Sequence, residues 1–224
     1  LELKPDDGDI QKTLSFIYLK NHDYENGWSY FDGRLKLNEF IKKNENIEKL
    51  NSKLFRKKVL NNSKNKILVL REQGVGDEIL YGSMYGDILK NVENITIECD
   101  PRLLSLFKRS FPEYSNNFVE LGNISNEEFK LEKIDYVLYA GSLGKYYRKS
   151  LTNFTNEPYL KVSKIKYDEM QNKLSKYKNK NNIGVSWKSF NNRYSSDKSL
   201  DLDNFEHIFK LPNCNIFNLQ YGDV

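Results

Sequence analysis

The sequence predicts an α/β fold, with a parallel sheet covered by helices on both faces and a helical hairpin ahead of it. Three observations predict it. Short runs rich in Ile, Val, Leu and Tyr recur from residue 66 onward. Segments with helical spacing of apolar residues separate them. The runs are nearly continuous in apolar character rather than alternating, as strands buried on both faces are.

The elements follow in order. Residues 8 to 37 read as two helices. Leu14, Ile17 and Tyr18 share one helical face, and Trp28, Phe31 and Leu35 line another. Between them "NHDYENG" is a turn, with Asp23 placed to cap the second helix. Residues 38 to 65 are rich in Lys and Asn and read as a connector, with a helical stretch near 46 to 58. "KILVL" (66–70) is then a strand, followed by a helix over about 77 to 90. "NITIEC" (94–99) is the second strand and 101 to 110 its helix. "NFVEL" (117–121), a short helix near 125 to 131, and "DYVLYA" (135–140) complete the first set. A Lys-rich helix over 165 to 178 leads to "NIGVSW" (182–187), a helix over 203 to 210 and "NIFNLQ" (215–220). This last unit reads as the start of a second α/β domain. The expected division is 1–40 for the hairpin, 41–65 for the connector, 66–164 for the first α/β domain and 165–224 for a linker helix and the second.

Composition narrows the function. The chain has 224 residues, 38% hydrophobic and 29% charged, with a net charge of +4. The basic residues are mixed with acids along the whole chain, whereas a nucleic-acid footprint would gather them on one element. No nucleic-acid partner is expected. The two cysteines, Cys99 and Cys214, stand far apart, and there are only two histidines, so no zinc-site spacing exists and no metal is expected. Free thiols suit a reducing compartment, and a cytoplasmic location is expected. No run of 18 apolar residues is present, so no membrane span is expected.

The stretch "REQGVGDEILYG" (71–82) is the candidate site. Ligands of open α/β sheets bind where a strand leads into a helix. Gly74 and Gly76 would permit a tight turn and close approach of a ligand. A dinucleotide fingerprint would need a glycine where Ile79 stands, and Asp77 would repel a phosphate; a Walker loop would need Gly-Lys-Ser/Thr. Asp77 then has two readings, an N-cap of the following helix or a general base beside the glycine loop.

Two resemblances add to this. The placement of Leu14, Tyr18, Tyr24, Gly27 and Phe31, within a match over about 34 residues, resembles a tetratricopeptide repeat, and "LELKPDD" is similar to the tail of a preceding one. "REQGVGDEILYGSMYGDI", "YAGSLGKYYRKS" (139–150), "IGVSWKS", "KSLDL" and "NLQYGDV" together resemble bacterial glycosyltransferases fused behind such repeats. These are relatives of lipopolysaccharide heptosyltransferases and, more distantly, of O-GlcNAc transferases. The resemblance implies a GT-B fold, two facing Rossmann-like domains. It implies sugar transfer with inversion from a nucleotide-sugar co-substrate to a hydroxyl of a glycan or protein, with no cofactor and no metal. It implies Asp77 as catalytic base, Gly74, Gly76, Ser186, Lys188 and Lys198 at the donor, and Gln73, Ser142 and Arg148 at the acceptor; Ser142 reads equally as a helix cap, Arg148 as the partner of a surface carboxylate, and Lys188 and Lys198 as ordinary loop lysines. Tyr146 and Tyr147 would stack on a sugar or pack. The repeat implies a protein partner. Against this stands a non-catalytic scaffold whose α/β domain only binds partners. With one repeat and a short second domain, the chain is expected to be inactive by itself.

Overall fold

A computed structural model describes residues 4, 6–43, 53, 64–120, 133–189 and 198–222. They divide into two compact units, 1–162 and 163–224. The helices expected near 46–58 and 125–131 fall outside the described residues.

In the first unit, α1 (Gly8–Lys20) starts at Asp7, whose side chain accepts from the N–H groups of Asp9 and Ile10. Asp23 caps α2 (Tyr24–Phe31), as its place in the turn implied. A 3₁₀ turn over 32–36 and α3 (Asn38–Lys43) follow. The 3₁₀ turn redirects the chain, so Leu35 leaves the face of Trp28 and Phe31 and packs in a different cluster.

The sheet has the order β3-β2-β1-β4 and every neighbouring pair is parallel. Its strands are β1 (Ile67–Leu70), β2 (Ile95–Cys99), β3 (Phe118–Glu120) and β4 (Tyr136–Tyr139). The connecting helices are α4 (Val75–Gly82), α5 (Tyr85–Asn91) and α6 (Pro101–Ser110). The helix expected over 77–90 is therefore two, broken at Ser83 and Met84. Asp100 caps α6, with Pro101 at its first position. A single turn, α7 (Gly144–Tyr147), follows β4.

β1 is apolar on both faces for a reason. Ile67 and Val69 pack with Tyr85, Ile88 and Phe107 of the helices on one side. Leu68 and Leu70 pack with Val137 and Tyr139, and with Leu35 and Phe40 from the N-terminal region, on the other. Each such side chain contributes roughly 1.5–3 kcal/mol when fully buried. The N-terminal helices are thus part of this unit's core rather than an appendage to it.

The second unit contains α8 (Lys164–Leu174), β5 (Asn181–Val185), α9 (Glu206–Phe209) and β6 (Cys214–Asn218). β5 and β6 pair in parallel over five residues. Among the described residues, no helix is long and apolar enough to cross a membrane.

Candidate functional site

The strand order reverses direction at β1: the chain runs outward through β2 and β3, then returns to place β4 on the other side. A crevice at the carboxyl ends of such a pair is where doubly wound sheets bind ligands. Here that crevice is filled by protein. Glu72, leaving β1, and Gly141 and Ser142, leaving β4, meet Arg34 from the turn after α2. Arg34 donates from Nε to Glu72 Oε2 (2.8 Å) and from Nη2 to Glu72 Oε1 (2.7 Å). It also donates to the Phe31 carbonyl (2.9 Å), Ser142 Oγ (3.0 Å) and Asp32 Oδ1 (3.2 Å). Ser142 Oγ donates to Asp32 Oδ1 at 2.6 Å, and Gly141 N–H donates to Glu72 Oε1. Arg34 and Glu72 are 4% and 6% exposed, so every polar atom there must be paired by protein.

This packing explains two glycines of "YAGSLG". A Cβ on Gly141 would lie 2.5 Å from Glu72 Oε1, and one on Gly144 would lie 2.3 Å from the Trp28 ring. Gly141 leaves room for the Glu72 carboxylate and the Arg34 guanidinium, and Gly144 for the Trp28 ring of α2.

Beside the plugged crevice lies an open cleft of about 780 Å³. Phe16, Trp28 and Leu80 form apolar walls; Arg71, Gln73 and Asp77 supply polar groups. Phe16 and Leu80 are 53% and 64% exposed on the cleft's walls.

The loop that carries Asp77 is held from beneath. Glu78, fully buried, accepts from the Asp100 N–H at Oε1 (2.8 Å). Arg71 Nε lies 2.9 Å from Glu78 Oε2 in an ionic contact that lacks hydrogen-bond alignment. Arg71 also donates to Asp100 Oδ2 and to the Gln73 carbonyl, both at 3.2 Å. Burial pushes the Glu78 carboxyl above its ordinary value, against the pull of the Asp100 N–H and the Arg71 charge. Asp100 is held well below the carboxylate range, first by its hydrogen bond from Arg102.

The loop differs from the expectation in three respects. Its left-handed residue is Gln73, with φ 63°, while Gly74 is extended with φ −100°. Gly76 is free of steric demand, since a Cβ there would meet nothing within 4 Å. Asp77 is not the N-cap. Gly74 holds that position, and Asp77, three residues on, accepts the Gly74 N–H at Oδ2 (3.2 Å). That is the returning half of a capping box. Among the described residues this is the one hydrogen bond to the Asp77 carboxylate. Gln73, which is exposed, donates to the Tyr81 hydroxyl at 3.1 Å.

Two residues expected at an acceptor are elsewhere. Ser142 is 6% exposed inside the Arg34 network. Arg148, 4% exposed, pairs with Asp87 (2.7 Å) and donates to the Ser83 carbonyl (2.9 Å), tying the broken α4–α5 junction to the β4 exit. Both side chains are consumed by structure. Tyr146 and Tyr147 pack against the core, where burial pushes each phenol up to about 12. In sequence Arg71 and Glu72 stand out as a charged pair ending an apolar run, without a role, and Arg34 does not stand out at all. "RE" ending a strand was the available signal, since charges rarely end an apolar run without partners.

In the second unit, Ser186, Lys188 and Lys198 come together around a cavity of about 380 Å³, with Trp187, Leu200 and Tyr221. The Gln220 side chain, arriving from β6, closes the loop after β5. Its Oε1 accepts from Lys188 N–H (2.8 Å), Trp187 N–H (2.9 Å) and Ser186 Oγ (3.2 Å). Its Nε2 donates to the carbonyls of Lys188 (2.9 Å) and Tyr221 (3.1 Å). Among the described residues, no three His, Cys, Asp or Glu side chains cluster as metal ligands would.

The chain is similar to Protein FlbA of Caulobacter vibrioides, 23% identical over 172 residues. The match covers 70% of this chain and 28% of that protein, so the chain corresponds to less than a third of its relative's length. No family model and no solved structure matches.

Proposed function

We propose that the chain is the acceptor-side part of an inverting, nucleotide-sugar-dependent glycosyltransferase of GT-B type, with Asp77 as its general base. The observation that carries this reading is the position of Asp77. It stands in the first turn of α4, after the loop that leaves β1, and lines the open cleft, with Oδ2 accepting the Gly74 N–H. In the reaction, a hydroxyl seated in the cleft gives its proton to the Asp77 carboxylate. Its oxygen attacks the anomeric carbon from the face opposite the leaving group. The bond from that carbon to the diphosphate breaks, and the diphosphate departs with the electron pair. Arg71 and Glu78 hold the loop in register while the proton moves. Ser186, Lys188 and Lys198 line a cavity within the second unit, and cations there are suited to stabilising the charge of a diphosphate.

A second reading has its own observation. Asp77 completes a capping box, and the cleft walls are apolar, as a surface that only binds a protein partner would have.

One substitution separates them. Asp77→Asn keeps an acceptor for the Gly74 N–H, so the thermal midpoint should stay put. In the full-length protein, release of nucleoside diphosphate from a panel of UDP-, GDP- and ADP-sugars, with glycan and protein acceptors present, should fall by roughly 10²–10⁴. Unchanged release by the variant removes Asp77 as base; no release by either protein leaves the binding reading.

A further inference from the structure

Three donors converge on one neutral atom in the second unit. The N–H groups of the consecutive residues Trp187 and Lys188 and the hydroxyl of Ser186 all point at Gln220 Oε1, at 2.9, 2.8 and 3.2 Å. A carboxamide oxygen has two lone pairs. Three donors therefore exceed what this atom accepts well. An anionic oxygen accepts several such bonds and makes each of them stronger. Consecutive backbone N–H groups forming a concavity of this kind are a recurrent anion cradle. Lys188 and Lys198 line the adjoining cavity of about 380 Å³.

We propose that Gln220 is a gate: its carboxamide occupies an oxyanion cradle made by residues 186–188 and is displaced when a phosphate oxygen of a ligand takes its place. This rests on reading Ser186 and Lys188 as phosphate contacts, and it adds the occupant and the backbone donors. Displacement has an opposing term built in. Nε2 must release the carbonyls of Lys188 and Tyr221, and those groups are solvent-exposed or nearly so, hence readily rehydrated. Gln220 lies at the exit of β6, where its side chain can swing without disturbing the β5–β6 ladder that ends at Val185 and Asn218. In the closed state the ligand's affinity is reduced by the fraction of molecules with the cradle open.

Inorganic pyrophosphate is the probe, titrated into the ¹⁵N-labelled chain while the Trp187 and Lys188 amide resonances are followed. Both should shift and saturate together. Gln220→Met keeps the side-chain length and removes the carboxamide, both its acceptor oxygen and its donor nitrogen. It should tighten pyrophosphate binding by about tenfold, the factor for one net hydrogen bond no longer competing. Ser186→Ala, in the otherwise unaltered chain, should weaken it and keeps the question answerable if Gln220→Met unfolds the second unit. Absence of any shift at the two amides up to millimolar pyrophosphate overturns the proposal. So does weaker binding by a folded Gln220→Met, which would make Gln220 a ligand contact or a tie between loops. No sugar or acceptor is used, so failure of Asp77 as base leaves this result standing, and failure here leaves the cleft of the first unit untouched.

Discussion

The two parallel sheets of this chain are written in the same apolar grammar and end up in different states. In the first, Leu68, Val69, Ile97 and Val137 are fully buried, and both faces are covered. In the second, Val185 is the one buried residue of β5 and β6, while nearby Leu211 and Leu219 are 46% and 63% exposed. The loops at their carboxyl ends differ in the same sense. The first unit fixes its loop with buried charges, Arg34 on Glu72 and Arg71 on Glu78. The second fixes its loop with one neutral, partly exposed glutamine. A buried ion pair cannot be broken without stranding a charge, whereas a carboxamide at the surface exchanges its partners for water at small net cost. The first loop is thereby a rigid platform for a side chain such as Asp77. The second is suited to opening.

The largest test of this contrast is Arg34→Met. It strands Glu72 beneath the sheet edge and should cost about 3–5 kcal/mol in urea unfolding. The double variant with Glu72→Met should recover much of that loss. A cost near that of an exposed pair, below about 1 kcal/mol, would mean that the N-terminal helices are not locked to the sheet. Next in size is a matched pair of truncations. Phe107→Ala removes a fully buried ring that contacts Tyr85 and Phe118 and should cost about 3–5 kcal/mol. Phe217→Ala, at a half-buried ring 5.0 Å from Tyr177, should cost clearly less. Equal costs would erase the distinction between the sheets.

The smallest effect is a pH slope. The Glu78 carboxyl is raised above its ordinary 4.5 in the folded state, so the folded chain holds that proton more tightly. Stability should then fall as pH rises from about 4.5 through the folded value. Asp100 has the opposite sign: its contribution is present above its ordinary 3.8 and is lost as pH falls toward the lowered folded value. Glu78→Gln should abolish the first slope and keep the second, as read from urea midpoints between about pH 3 and 7. Persistence of both slopes would place the titration elsewhere.

The sequence by itself determined the strands and their parallel order. Each of the six apolar runs is a strand within two residues of its expected bounds; in the first sheet, burial on two faces leaves a continuous apolar signature that needs no partner to be read. It determined the Asp23 cap as well, since a cap is a bond between residues three apart. The break at Ser83 and Met84 was not legible: helical spacing continues across it, and what holds it is Arg148, sixty-five residues away, on the Ser83 carbonyl. Asp77 was legible as a residue of interest, but whether it caps the helix or faces the cleft is set by where Gly74 and the walls of α1 and α2 lie. Ser142 and Arg148 look in sequence like ligand contacts. The tertiary structure makes them internal, because Arg34 stands 108 residues from Ser142 in sequence and 3.0 Å from it in space. Local bonds and periodic burial are written along the chain; the partners of buried charges are chosen only when distant segments meet, and at this sheet edge those partners decide which polar groups are left to face a ligand.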